Sequence, residues 1–413
     1  MKQDNNIPQG YKDSPLGIIP KDWDVKKVEN IADIDKESLG SNTPKDYEFD
    51  YISISDIDSA DFRIETTKQV FSSAPSRARR IVKQGDILMS TVRPNLQSFT
   101  IIKDDVKDLI ASTGFAVITT KSYNNVFLFN YLFSSLISKQ FYQLLVGSNY
   151  PAINSSDVKH LRIPFPPLPE QQKIAEILSA WDRSIEIQTS LIKTLQTRKR
   201  ALMQRLLTGK KRFPGYCGAW KEVKLGEIFN LITETNDGLT HSIMTISGKY
   251  GLMSQENKFE RVIAGDSLNK YTLLHENDFA YNKGNSKTYP MGCIYKLEDK
   301  KTALVPFVYI CFRATMPIST DFYKHYFLNH GLDKQLNRII TSGARGDGLL
   351  NVDKKNFLKL NIVLPSFQEQ TTIAKILNTT DQEIDHGKEK LSLLHTQKRG
   401  LMQQLLTGKK RVL

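Results

Sequence analysis

Arg77, Arg79 and Arg80 cluster in the first half of the chain, and the run Thr91-Val92-Arg93-Pro94-Asn95-Leu96-Gln97 follows them. A guanidinium presents a two-pronged donor fork that fits guanine O6 and N7, and a carboxamide fits adenine N6 and N7. Arg77, Arg79, Arg80, Thr91, Arg93, Asn95 and Gln97 are therefore candidates for reading base edges. The same arginines suit phosphate contacts or a plain solvated face, and residue type alone does not choose. Asn149 and Tyr150, in the small, polar and aromatic run 147–154, form a second candidate loop. In the second half, Asn282, Lys283, Asn285, Lys287 and Tyr289 fall in a run that aligns near residues 91–95. Arg345 lies in the glycine-rich run 342–348, which aligns with the loop around Asn149. That run lacks the lysine and serine or threonine spacing of a P-loop, so it reads as a flexible loop facing nucleic acid. Lys283, Lys287 and Arg345 are candidates for phosphate contact.

The residues suggest no bond-breaking chemistry. There is no Asn-Pro-Pro-Tyr-type motif, no glycine-rich cofactor loop after a strand, and no HExxH or Cys/His cluster, so no catalytic residue, cofactor or metal is expected. His325 and His330 are off the spacing that shares a helix face and read as surface residues. Cys217, Cys293 and Cys311 are scattered and odd in number, as suits free thiols in a reducing cytosol.

Short strands must position the candidates. Residues 51–55 and 115–120 read as strands and 85–92 as a turn plus a strand in the first half, and residues 279–281 and 307–312 correspond in the second. Helix-like segments are expected over 126–146 and 321–340.

Two longer elements repeat. Leu202-Met203-Gln204-Arg205-Leu206-Leu207-Thr208-Gly209-Lys210-Lys211-Arg212 returns as Leu401-Met402-Gln403-Gln404-Leu405-Leu406-Thr407-Gly408-Lys409-Lys410-Arg411, about 199 residues later. The likeness extends back to Glu170 and Glu369, and Trp23-Asp24-Val25 resembles the stretch that begins at Trp220. Between these shared parts the halves diverge. Steps of three and four give Leu178, Trp181, Ile185, Gln188, Ile192, Leu195, Lys199, Leu202 and Leu206, seven of nine apolar. The second copy gives Leu377, Thr380, Ile384, Gly387, Leu391, Leu394, Lys398, Leu401 and Leu405, six apolar. This is a heptad seam. Prolines 164, 166, 167 and 169, and Pro365 in the second copy, bar an earlier start. Gly209 and Gly408 stand where a helix-ending glycine belongs.

Each helix is about 38 residues, or roughly 57 Å, and a narrow seam of that length needs a partner helix. A two-fold arrangement would pair the copies antiparallel. Lys210–Arg212 and Lys409–Arg411 have three readings, ranked by how little each requires: complementing the helix dipole, holding phosphate, or touching a protein partner. The expected fold is α+β: two mixed α/β recognition domains, separated by two long helices that pair as an antiparallel coiled coil, with a pseudo-two-fold internal repeat. The expected division is 1–166, first recognition domain; 167–209, first spacer helix; 210–365, second recognition domain; 366–413, second spacer helix.

With 413 residues, 40% hydrophobic content and a net charge of +13, the chain reads as a multidomain globular protein suited to a polyanion. No apolar run reaches the length of a membrane span and no secretory signal is visible, so a cytoplasmic protein without membrane contact is expected.

Two variable domains alternating with two shared helices resemble the specificity subunit of type I restriction–modification systems. The opening Tyr11-Lys12-Asp13-Ser14-Pro15-Leu16-Gly17, the entry Pro166-Pro167-Leu168-Pro169-Glu170-Gln171-Gln172 and the duplicated basic helix ends carry the resemblance. The second copy departs from it, with Gln368 where Pro169 stands and no Ser-Pro-Leu-Gly opening. The resemblance implies a non-catalytic subunit on double-stranded DNA with a bipartite site, holding two methyltransferase subunits and two motor-nuclease subunits. Each recognition domain would read one half-site, and the helices would act as ruler and docking platform. Two rival readings are a self-contained restriction enzyme and a coiled-coil protein indifferent to nucleic acid.

Overall fold

The computed structural model describes residues 7–57, 64–145, 152–248, 250–260, 265–284, 289–340 and 350–412. The chain forms two compact units, residues 1–190 with 389–413 and residues 191–388. This differs from four consecutive segments, because each unit takes half of both long helices.

In the first unit, after a short hairpin of Tyr11–Lys12 on Ile19–Pro20, the strands are β1 (Asp24–Lys27), β2 (Ala32–Ile34), β3 (Glu48–Ile52), β4 (Thr67–Val70), β5 (Ala78–Val82), β6 (Ile87–Ser90), β7 (Phe99–Ile101), β8 (Leu109–Ser112), β9 (Phe115–Thr120) and β10 (Arg162–Phe165). They form sheets ordered β4-β3-β8-β5 and β2-β9-β6-β7, with β1 paired to β10. Helices α1 (Asn125–Tyr131), α2 (Ser135–Leu144) and α3 (Ser155–His160) lead to the long α4 (Leu168–Leu206).

The second unit repeats the order from β1 onward although the sequence between the shared parts diverges. Its strands are β11 (Lys221–Lys224), β12 (Phe229–Leu231), β13 (Ser242–Ser247), β14 (Gly251–Ser254), β15 (Thr272–His275), β16 (Phe279–Asn282), β17 (Cys293–Lys296), β18 (Thr302–Val305), β19 (Ile310–Ala314) and β20 (Asn361–Leu364). The sheets run β14-β13-β18-β15 and β12-β19-β16-β17, with β11 on β20, so each strand corresponds to the one ten places earlier. Even the parallel pair recurs, β3 with β8 and β13 with β18. Besides short turns of helix at Leu225–Ile228 and Gln255–Phe259, the helices are α5 (Thr320–Leu328), α6 (Asp333–Ile339), α7 (Lys354–Leu358) and the long α8 (Phe367–Leu405).

Four expectations shift for local reasons. The strand expected over 51–55 lies earlier, at β3, because Ser53 N–H bonds the Asp56 carboxylate at 2.8 Å and opens a tight turn. The strand expected over 307–312 is β19, because Tyr309 N–H closes a turn on the Pro306 carbonyl at 3.0 Å. The segments 126–146 and 321–340 are each two helices. Ser134 caps α2 by accepting from Ile137 N–H, and left-handed His330 (φ 58) interrupts the second segment.

The long helices run antiparallel. In the first unit Asp182 of α4 meets Lys398 of α8 at 2.6 Å, and in the second Lys199 of α4 pairs with Asp381 of α8. Leu178, Ile185 and Leu405 are buried in the first unit, where Trp181, Leu391, Leu394 and Leu401 are half-buried. In the second, Ile192, Leu206, Leu377 and Ile384 are buried and Leu195 and Leu202 half-buried. The helix ends enter the domain cores. Ile174, Leu178, Leu405 and Leu406 pack with Trp23 and Phe127, while Met203, Leu206, Ile373 and Leu377 pack with Phe229 and Phe322. Truncating one such leucine to alanine costs about 2–5 kcal/mol.

Candidate nucleic-acid interface

In each unit a loop leaves the same strand of the same sheet, β6 in the first and β16 in the second. After β6, the Thr91 hydroxyl donates to the Gly114 carbonyl at 2.9 Å, and the Thr91 carbonyl accepts from Ile153 N–H at 3.0 Å. Thr91 is only 7% exposed, so it fixes the root of the loop and does not present its hydroxyl to a ligand. Arg93 (φ 49) and Gln97 (φ 53) both take the left-handed backbone around a tight turn begun by buried Pro94. Arg93 and Asn95 are exposed and Gln97 is half-buried.

The three neighbouring arginines separate. Arg77 is exposed, just ahead of β5. Arg79 lies over the Phe71 ring at 4.8 Å and donates to the Ala78 carbonyl at 2.7 Å. Arg80 is paired with Asp35 at 2.8 Å and bonds Ser38, which ties β5 to the neighbouring chain. Arg77 is thus the most accessible cation of the three.

After β16, the Asn282 side chain accepts from Gly284 N–H at 2.9 Å and shapes the turn. The Lys283 carbonyl accepts from Leu350 N–H at 2.8 Å. The Tyr289 ring stacks on His330, with centroids 5.3 Å apart. Gly292 (φ 76) is required beside them, since a Cβ there would stand 2.4 Å from the Asn282 carbonyl. Asn149, Tyr150, Asn285, Lys287 and Arg345 lie outside the described residues.

What ties each domain to the helices is a motif whose role sequence reasoning missed. In the first unit Arg411 forks onto Glu170 at 2.7 and 2.9 Å and onto Asp22 at 2.8 and 2.6 Å, while Trp23 Nε1 donates to Glu170 at 2.8 Å. In the second unit Arg212 forks onto Glu369 at 2.8 and 2.7 Å, and Trp220 Nε1 donates to it at 2.8 Å. The arginine ending each long helix therefore seizes the buried glutamate that starts the other. Hydrogen bonds from Arg411 hold the Asp22 carboxyl below its ordinary range, and Glu170 first, then Asp22, raises Arg411 in return. The neighbouring glutamine does a second job. Gln171 accepts from Asn124 N–H and Gln370 from Ser319 N–H, fixing the starts of α1 and α5. The repeated tryptophan, Glu-Gln pair and final arginine carried this signal, but the partners lie 157 and 241 residues apart in sequence. The lysines before each arginine stay exposed.

His325 is a correction. It is fully buried, with Nε2 2.7 Å from Asn378 Oδ1 and Nδ1 3.9 Å from Asp381, and burial pushes its pKa down to about 4. It faces α8 from the inner side of α5, whereas His330 is exposed. Among the described residues no group of His, Cys, Asp and Glu is arranged to hold a metal ion.

Two copies of one α+β domain, each offering a loop from the same strand and each clamped to a pair of long helices, define a tandem DNA-recognition protein. The family model for the type I restriction modification DNA specificity domain matches residues 20–197 and 218–394, and the chain belongs to that family. It is 25% identical over 98% of its length, and 97% of the other chain, to a Methanocaldococcus jannaschii protein provisionally described as the type I restriction enzyme MjaX specificity subunit. It is 24% identical to the MjaIX specificity subunit of the same organism, over 97% of this chain and 96% of that one. A solved chain from work on complex assembly and conformational transition of the type I R-M system shares the fold, with a TM-score of 0.60, 21% identity and coverage of 95% and 99%. The type I S subunit of M. genitalium does so with a TM-score of 0.55, 16% identity and coverage of 98% of each chain. The chain is a DNA target-recognition component of a type I restriction–modification system and not its catalytic part.

Proposed function

We propose that the loops after β6 and β16 read the two halves of a bipartite DNA site, and that the paired helices set the gap between them. The carrying observation is that topologically equivalent strands, β6 and β16, launch loops of unlike sequence from domains otherwise built alike. Arg93, Asn95 and Gln97 supply fork donors and amides in the first domain, and exposed Arg77, ahead of β5, is proposed for phosphate. In the second, Asn282 supplies a carboxamide, Lys283 an ammonium for phosphate and Tyr289 a phenol. Arg79, Arg80 and Thr91 act through the fold, as rim supports. Asn285 and Lys287, in the same run as Asn282, and Asn149, Tyr150 and Arg345, in the separate runs 147–154 and 342–348, are proposed as further contacts.

The helix pair is the docking platform for two methyltransferase subunits, with two motor-nuclease subunits joining the complex on DNA in the cytoplasm. Among the described residues no helix is long and apolar enough to cross a membrane. Mapping methylated adenines genome-wide in cells with and without this chain tests the proposal. A split motif that disappears with the chain supports it; a motif unchanged by its loss overturns it. Incubating the purified chain alone with DNA and Mg²⁺ should give no cleavage, and cleavage would favour a self-contained nuclease.

A further inference from the structure

Leu96 is 57% exposed at the tip of the turn that leaves β6. Single exposed leucines are ordinary. This one is held outward by a backbone that costs energy to maintain. Arg93 and Gln97, on either side, both have positive φ, a region that disfavours side chains other than glycine by of order 1 kcal/mol or more each. The turn is nonetheless closed, by Leu96 N–H to the Arg93 carbonyl at 2.9 Å, Gln97 N–H to Pro94 at 3.1 Å and Phe99 N–H to Gln97 at 2.7 Å. Buried Pro94 and Phe99 anchor its two ends. Strain retained in this way fixes a leucine among a guanidinium and two carboxamides, where a polar tip would be expected.

On the major-groove edge of DNA the one apolar group is the thymine 5-methyl. We propose that Leu96 is a specificity-determining residue that packs on the 5-methyl group of a thymine, next to the base edge taken by Asn95 or Gln97. The inference rests on the reading that residues 91–97 face DNA. It adds a non-polar element to a loop otherwise made of hydrogen-bonding groups, and it accounts for the rigid, outward placement of the side chain. Requiring thymine at one position would then depend on a methyl contact in addition to hydrogen bonds.

The test uses the full chain assembled with its methyltransferase subunits and duplexes carrying the mapped site. Each thymine of the first domain's half-site is replaced singly by deoxyuridine, which removes only the methyl group. At one position the native chain should bind thymine about four-fold more tightly than uracil, as burial of one methyl-sized group predicts. L96A should bind the two duplexes alike, and L96M should keep the preference. A thymine preference that survives in L96A, or no preference at any position in the native chain, overturns the proposal. R93A separates the parent reading: if it leaves binding to this half-site intact, the loop does not face DNA and both readings fall. If R93A weakens that half-site alone while L96A keeps the thymine preference, only the methyl contact is lost.

Discussion

Where the first unit places Val126, Asn130 and Ser179, the second has Asp321, His325 and Asn378, matched through the equivalent helix caps Asn124 and Ser319. In the second unit these residues join a polar chain, in which Lys296 pairs with Asp321, Asn378 Nδ2 donates to Asp321 at 2.9 Å, and His325 meets Asn378. In the first the same region is an open groove along α4, lined by Val126, Glu176, Ser179 and Arg183. Yet both units keep the tryptophan–glutamate–arginine clamp, the glutamine on the next helix cap and one lysine–aspartate pair across the helices. The difference teaches which contacts the fold depends on. The repeated ones fix a domain to its helices, and the rest is free to vary with the loops.

Breaking the clamp should have the largest effect. R411A leaves Glu170 buried without its cation and should cost the first unit about 3 kcal/mol. In a denaturation experiment that resolves two transitions, only the first unit's should move; R212A should move only the second's. Both moving together in either variant would mean that the clamps do not act unit by unit.

The cross-helix pairs come next. D182L or K398L alone should cost about 2 kcal/mol, whereas the double variant should recover most of that loss, because it is an isolated charge that is penalised. Urea midpoints of the three variants give the coupling, and strictly additive losses would contradict a direct pair.

His325 sharpens the comparison through pH. Its folded pKa is depressed by burial from about 6.5 to about 4, so over that interval the unfolded chain binds the extra proton. Stability of the second unit should therefore fall as pH drops from 6.5 towards 4, by up to about 1.4 kcal/mol per pH unit from this group. H325N, the residue type found at the matching place in the first unit, should flatten that dependence. An unchanged pH profile in H325N would assign the acid sensitivity elsewhere.

The smallest expected effect is at Arg77. R77A should weaken binding about equally on all sequences and lower the salt slope by about 1, as loss of one phosphate contact does. A change confined to one base position would make Arg77 a reader instead.

Much of this was legible in the sequence, because periodicity and punctuation are local signals. The seam from Leu178 to Leu206 and from Leu377 to Leu405, the β9 run of apolar residues, and Gly209 and Gly408 at φ 67 and 69 all follow from nearest neighbours. Lys199 and Lys398 stood out as polar seam positions, but their aspartates lie on the other helix, 182 and 216 residues away. The same distance hid the role of Arg212 and Arg411, whose neighbours in sequence suggested a helix dipole first, then phosphate or a protein partner. The Asp35 partner of Arg80 lies 45 residues away in sequence and is invisible to residue type alone, and His325 reads as exposed because a spacing argument carries no information about which face is covered. In the candidate interface, residue types suggested the chemistry, while the left-handed turn that orients Arg93, Asn95 and Leu96 depends on the buried anchors at Pro94 and Phe99.

The central claim is that the repeated helices carry geometry and the unrepeated loops carry sequence. The antiparallel pairs Asp182–Lys398 and Lys199–Asp381 define a matched deletion, residues 186–192 together with 388–394, that removes one heptad from each helix and leaves both clamps and both of these cross-helix pairs in place, at the loss of the exposed pairs Lys103–Glu186 and Asp385–Lys388. Methylated adenines should then be mapped genome-wide with this variant. The account predicts both half-site sequences unchanged and the gap between them shortened; altered half-site bases, or an unaltered gap in a folded and active complex, would contradict it.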